Sequence, residues 1–570
     1  MRIKQSNEIQ QETKWNKAVI HLLCCFVFGA GYITPAIPNG DVYIAGITGI
    51  VVLSRGFFHI HQRKSITQLS LIDAAFWVYL IYTLLNAHSP VDFGTIIRTI
   101  SIAGIWWYVR QCDLSQSTTT IAMWAMYSGV GQTLIGLLQM MRLISSNHSY
   151  FMATGTFNNP GVWGGYLAIM LAIVLPQVST KQRQQKTWLW MGSCIILIGI
   201  LLSNSRAAWL ATLVTIILLL WLQYRETMMK KRIHLALFLA LPIIGYLLYI
   251  LHPASIDARW HIWKVGLKMF SQSPLFGVGT GGFAVHFMPT QADYLSTATW
   301  EVQRLADDNL LAFNDLLLIL YEQGCMGLLL FSSLAFLLIR SLFTTPFTIG
   351  IQWLIFPLAA ICTFSQFSYV SSTWSLFVFL PFLAATIPYT KFVTSRIYYT
   401  QLVGVILGCG LLLIGLFYIR KAQHWINRYG DLEDVSTIPS SVDFMVRHDS
   451  YLSASLCQAA RLIADNDVLT NYAPVLESYL QTAQWKLHIG EGYEAKGDYQ
   501  QAIHYYQQAH RMMPGLLLPL YAQFSLYREL GDKLLAKQFA QQVVHHTPKL
   551  ENKQTLQMKN DAQNYLISQP

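Results

Sequence analysis

The chain has 570 residues, of which 53% are hydrophobic and 12% charged, with a net charge of +10 and a mean hydropathy of +0.37. That composition excludes an ordinary soluble enzyme of this length. The basic balance does not point to nucleic acid, because most cations gather in short loops between apolar runs. The eight cysteines show no C-x-x-C or Cys/His spacing, so neither a disulfide framework nor a metal site is expected, and no cofactor motif is present.

Hydropathy predicts about thirteen membrane-spanning helices, near 17–38, 41–54, 71–87, 92–109, 119–141, 161–178, 187–203, 206–223, 233–251, 309–339, 350–368, 372–389 and 399–419. The first lacks a small-residue cleavage site and reads as a retained helix rather than a removable signal. Taking the N-terminus (Arg2, Lys4, Lys14, Lys17) as cytoplasmic puts most loop cations on that side, including Arg55, Arg110, Lys186, Arg225, Arg340 and Lys391. This follows the positive-inside rule and places residues 252–308 and everything after 420 outside the cytoplasm.

Arg206, in SNSRAAW, and Arg259 stand against that charge bias at the outer side. An arginine held there suggests an anion to bind, although snorkelling to lipid headgroups is an equally simple reading of Arg206 by itself. Residues 252–308 form the longest polar interruption. Within it, 257–270 reads as an interfacial helix that mixes Trp260 and Trp263 with Arg259, His261, Lys264 and Lys268. SPLFGVGTGGF follows as a turn. Its glycine spacing neither follows a strand nor opens a βαβ unit, so it is not a dinucleotide loop.

After residue 420 the composition turns polar and helical. Tyr493, Gly497, Ala502 and Pro514 recur 34 residues later as Tyr527, Gly531, Ala536 and Pro548, the period and pattern of a tetratricopeptide repeat. The expected fold is therefore all-α: a polytopic membrane helix bundle over 1–420 with a large outer loop at 252–308. A helical linker or degenerate repeat follows at 421–480, and a tetratricopeptide-like domain at 481–570 offers a surface for a protein partner.

Four segments resemble the bacterial O-antigen ligase and polymerase superfamily, which includes O-linked protein oligosaccharyltransferases. They are TGTFNNPGVWGGYL (Thr154–Leu167), SNSRAAWL (Ser203–Leu210), RWHIWKVGLKMFSQSPLFGVGTGG (Arg259–Gly282) and AFNDLLLILYEQGCMGL (Ala312–Leu328). The resemblance implies a metal-independent glycosyltransferase of the bacterial inner membrane. Such an enzyme passes a glycan from a polyprenyl-diphosphate carrier to a lipid, glycan or protein acceptor. It places Arg206 and Arg259 on the diphosphate, and Asn314 is retained from the fourth motif. The candidate site adds His261 as a catalytic residue within reach by sequence, and Lys264, Asn158 and Trp263 as substrate-binding residues. Phe313 stands where the family carries a likely histidine base, which leaves His261, Asp307, Asp308 and Asp315 as candidate bases. A flippase for the same lipid-linked glycan, or a scaffold that merely presents the repeats, are the alternatives. The flippase would need ionisable residues deep in several spans, and Asp73, Arg98 and Glu322 are the candidates.

Overall fold

The structure is a computed structural model that describes residues 20–33, 38–61, 67–110, 117–178, 183–224, 253–344, 353–387, 393–395, 398–431 and 437–568. Its helices in chain order are α1 (Ile20–Ile33), α2 (Gly40–His61), α3 (Leu71–Leu85), α4 (Phe93–Val109), α5 (Thr118–Met140), α6 (Pro160–Val178), α7 (Arg183–Leu202) and α8 (Arg206–Gln223). The polar loop carries α9 (Pro253–Gln272), α10 (Phe283–Leu295) and α11 (Trp300–Gln303). Then come α12 (Asp315–Thr344), α13 (Ile355–Ser365), α14 (Trp374–Phe377), α15 (Phe379–Ala385) and α16 (Tyr398–Gly430). The tail adds α17 (Ser440–Arg447), α18 (Ser450–Leu462), α19 (Asn466–Glu477), α20 (Ala483–Ala495), α21 (Tyr499–Met512), α22 (Leu518–Glu529), α23 (Lys533–His545) and α24 (Lys553–Ser568). The one sheet among the described residues is a three-residue antiparallel pair, Thr67–Leu69 with Val393–Ser395.

Six of these helices are long and apolar enough to cross a membrane, and six shorter apolar helices fall on other predicted spans. The predicted span at 233–251 lies outside the described residues, as do the N-terminal cations Arg2 to Lys17. The predicted span 372–389 is broken into α14 and α15, and Pro381 sits inside α15 where it supplies no backbone donor.

Helix α6 is the axis of the bundle, buried on nearly every side from Val162 to Val178. Its Gly164–Gly165 pair explains how neighbours come so close. A Cβ at Gly165 would lie 2.2 Å from Phe364 of α13, and one at Gly164 would lie 2.4 Å from Ser203 Oγ. Asp73 and Arg110 form an ion pair at 2.7 Å with both side chains only 5% exposed. Trp106 Nε1 also donates to Asp73, and Arg110 reaches the Ile387 carbonyl at 2.7 Å. The pair locks α3 and α4 to the chain beyond α15.

Helix α12 is kinked at Gly324, whose φ is 66° and ψ −166°. A kink orphans backbone groups that must find partners elsewhere. Here the SPLFGVGTGG turn supplies them. Val278 and Gly279 donate to the Tyr321 and Glu322 carbonyls at 3.1 and 2.8 Å, while Cys325 and Met326 donate to Pro274 and Leu275 at 2.9 and 3.1 Å. The two sequence motifs are one structural unit.

The change of composition at residue 420 is not a break in the chain, because α16 runs through it to Gly430. In the tail, α20 and α21 pack as a pair, as do α22 and α23. Each pair turns at a left-handed glycine, Gly497 (φ 80°) or Gly531 (φ 73°). An aspartate follows and caps the next helix: Asp498 accepts from Gln501 N at 3.2 Å and Asp532 from Leu535 N at 3.0 Å. The 34-residue recurrence of Gly-Asp is thus a helix stop followed by a helix start. Within the first pair a Cβ at Gly490 would lie 2.6 Å from Tyr506.

The loop does not hang free over the bundle. Ile262, Val265, Met269, Phe283 and Phe287 share one core with Ala483, Leu487 and Tyr506 of the tail. Polar contacts seal the joint: Asp308 accepts from Ala483 N at 2.6 Å and Gln484 N at 3.0 Å. Gln291 donates to the Met512 carbonyl and Lys549 to that of Ala306, both at 2.9 Å.

Candidate functional site

Helices α2, α4, α6 and α8 all begin at one end of the bundle, and the loop, the start of α12 and the tail gather there. Arg206 opens α8 directly after Ser205, which caps the helix through Ala208 N. Arg259 lies on α9. Burial, and next the charge of Arg206, depress the Arg259 guanidinium from its ordinary value, yet an arginine stays cationic under such pressure. Two like charges in a half-buried setting repel, and an anion between them would remove the penalty.

The segment before α12 sets the position of Arg259. Trp263, one turn along the same face of α9, donates from Nε1 to the Ala312 carbonyl at 3.0 Å. The next residue, Phe313, has a φ of 53°, a conformation that costs a bulky residue about 1–2 kcal/mol. Held there, its ring lies 5.6 Å from the Arg259 guanidinium, within cation–π range. The opposite neighbour of Phe313 is Tyr369, edge-on at 5.5 Å. The position where a base is expected therefore holds an aromatic platform under an arginine.

Tyr369 also lines a cavity of about 790 Å³ at the same end of the bundle. Its wall includes Asn39, Asp41, Asp92, Arg98, Asn158 and Asn159 from the bundle, and Asp449, Ser450 and Tyr451 from the tail. Asp92 caps α4 through Thr95 N at 2.8 Å, pairs with Arg98 at 3.4 Å and accepts from Ser450 N at 2.9 Å. Phe93 N donates to the His448 carbonyl at 2.7 Å beside it. The tail is thereby stitched to the membrane helices at the cavity's edge.

The other expected site residues fall in three groups. Asn158 is exposed on the cavity wall. Asn314 caps α12 through Leu317 N at 2.9 Å and donates to the Gln366 carbonyl at 3.1 Å, a positioning role. Lys264 and His261 lie away from the arginine face of α9. Lys264 is exposed with its ammonium 5.8 Å from the Trp260 ring. His261 is 3% exposed, bonded to Gln291 at 3.2 Å, and depressed chiefly by burial. His261 thus faces the core shared with the tail, away from the Arg259 side of α9.

The remaining candidate bases are likewise engaged. Asp307 pairs with Lys549 at 3.1 Å and Asp308 caps α20. Asp315 accepts from Val370 N at 3.0 Å and from Ser371. Glu322 accepts from Phe283 N at 3.2 Å and holds the loop to the kink. The aspartates at the cavity, the platform role of Phe313 and the contribution of Tyr369 are not visible in the sequence.

Asp449 is buried at the seam, and burial together with the Asp92 carboxylate pushes it up to about 7; the Leu452 and Tyr451 amides and Arg98 act in the other direction. Tyr43 and Tyr479 also lie within electrostatic reach. A carboxyl raised on folding binds its proton more tightly in the folded state. Its contribution is therefore complete at acid pH and is lost as pH rises through about 7. The expected result is faster amide exchange at Phe93 and Ser450 at pH 8 than at pH 5.5, after correction for intrinsic rates. Asp449→Asn keeps a capping oxygen and should abolish that difference; equal protection at both pH values in the wild type would contradict the assignment.

These features define a multi-pass helical membrane protein in which Arg206 and Arg259 come within electrostatic reach of each other at one end of the bundle. Residues 191–332 match the family model described as O-antigen ligase. The match runs from α7 through Arg206 and the loop into α12, and it supports the ligase and polymerase superfamily. A comparison with curated proteins returns no match.

Proposed function

We propose that the protein is a membrane glycosyltransferase that moves a glycan from a polyprenyl-diphosphate carrier to an acceptor hydroxyl at the outer face of the bacterial inner membrane. The observation that carries this reading is Arg259, half-buried over the Phe313 ring and within electrostatic reach of Arg206. In the reaction the acceptor oxygen bonds to the anomeric carbon as the bond from that carbon to the phosphate oxygen breaks. The diphosphate leaves with the electron pair, and two guanidiniums offer bidentate donors to its growing charge without a metal. The acceptor hydroxyl becomes strongly acidic only once its oxygen is bonded to carbon, so its proton can pass late to water. A histidine at position 313 is then dispensable.

Trp263 and Phe313 hold Arg259 in place, Asn314 orders the start of α12, and Asn158 meets the substrate in the cavity. Lys264 serves the anionic membrane surface instead. The N-terminus is cytoplasmic, and the tail is an outer tetratricopeptide-like unit that receives a protein acceptor or assembly partner. The candidates for a transport path weigh against a flippase, because Asp73, Arg98 and Glu322 are each spent on fixed structural bonds.

The test is reconstitution of the full chain in liposomes with lipid-linked glycan from its host. Release of the polyprenyl diphosphate with formation of a new glycosidic bond is the expected result; movement of intact donor between leaflets without transfer would overturn it. The product left in a deletion strain then names the acceptor. Single glycan units on surface lipid mean a polymerase, free long glycan a ligase, and unmodified protein an oligosaccharyltransferase.

A further inference from the structure

We infer that the cavity between the bundle and the tail is a saccharide-binding site, and that the first turn of α18, at Ser450 and Tyr451, forms one of its walls. Calling its occupant a reactant rests on the glycosyltransferase reading; the binding itself does not.

Three observations carry the inference. The volume, about 790 Å³, falls within the range of small-molecule sites. The lining is also of the right chemistry. Sugars present hydroxyls at fixed spacing around a ring whose C–H face is apolar. They are matched by planar amides, carboxylates and guanidiniums together with aromatic faces. Asn39, Asn158 and Asp41 supply the first kind and Tyr369 and Tyr451 the second. Asn39 is held in a left-handed conformation (φ 55°) at the cavity wall.

The third observation is continuity. Tyr369 borders the cavity on one side and touches Phe313 on the other, and Phe313 lies under Arg259. A sugar in the cavity thus sits one aromatic contact away from the platform that carries the guanidinium. The tail's part is specific: Ser450 donates its backbone N–H to Asp92, which sets the first turn of α18 against the bundle. Tyr451, 39% exposed, stands at the rim. The saccharide can be the glycan of the donor or a sugar of the acceptor, since both present the same chemistry.

The test uses full-length protein in detergent and, as probe, the oligosaccharide freed by mild acid from the host's lipid-linked donor, which carries neither lipid nor diphosphate. Saturation-transfer NMR and calorimetry should detect binding to wild type and to Arg206→Ala. Binding should weaken at least tenfold in Tyr451→Ala and in Asn158→Ala, and vanish in Ser450→Trp, which fills the cavity from the tail side. All three positions are exposed or part-exposed, and matched thermal unfolding would show that the fold is kept. Undiminished binding in the three variants, or no binding to wild type, overturns the inference. In transfer assays, a rise in KM for the donor assigns the site to the donor's glycan, and a rise for the acceptor assigns it to the acceptor sugar. If instead wild type transfers no glycan in liposomes while it binds the probe and the cavity variants lose that binding, the glycosyltransferase reading fails and the saccharide site stands.

Discussion

Arg259→Ala is expected to lower glycan transfer by about 10²–10³-fold, the usual cost of removing one pre-positioned donor from a developing anion. Arg206→Ala should cost a similar factor. The double variant should cost little more than either single one, because two groups that clamp one diphosphate act as a unit. Lysine at either position keeps the charge but loses the planar fork, so it should restore only part of the rate. Initial rates with a radiolabelled lipid-linked donor, at matched protein levels in liposomes, decide the matter. Transfer within threefold of wild type in both single variants would remove these arginines from the mechanism.

The largest structural effect is expected at Gly277. Its φ is 70°, and an added Cβ would lie 2.4 Å from both the carbonyl carbon and oxygen of Glu322. That neighbour is backbone at the kink of α12 and cannot rotate away. Gly277→Ala should force the turn off the kink, break the Val278 and Gly279 bonds to α12, and cost about 3 kcal/mol or more. Gly281 supplies the control. It has a comparable φ of 85°, but nothing lies within 4 Å of an added Cβ, so Gly281→Ala should cost only about 1 kcal/mol of backbone strain. Thermal unfolding in detergent, read by circular dichroism, separates the two. Equal destabilisation would mean that the close approach to Glu322 contributes nothing.

Much of the bundle was readable in advance because a span needs apolar length, and length survives in the sequence whatever it packs against. The 34-residue recurrence was equally plain, since Gly497 and Gly531 recur with the same Gly-Asp step, a helix stop followed by a cap. The four motifs were visible as text, but their physical meaning was not. Gly164 and Gly165 admit Ser203 and Phe364, and Gly277 and Glu322 belong to one joint between loop and kink. None of those partnerships has a local signature, because each joins residues far apart in the chain. The same holds for the site. Two arginines against the charge bias could be picked out one by one, whereas the cavity depends on Asp92 meeting Ser450 across 358 positions. His261 shows the converse: two places from Arg259 in the sequence, it is turned by helix periodicity to the core shared with the tail.

The unbroken helix α16 has a consequence for reach. Its 33 residues span about 50 Å at 1.5 Å per residue, against about 30 Å of hydrocarbon. Roughly 20 Å of rod must therefore tilt within the bilayer or stand clear of it, and the tail it carries is clamped to the loop at its other edge. On the proposed outer placement of the tail, the part of the rod that stands clear sets the tail's height above the lipid. On the proposed transfer reaction, an acceptor would then be sorted first by stature: a slender or extended chain can enter beneath the tail, and a broad rigid body would be stopped at the rim before any sugar or side chain is read.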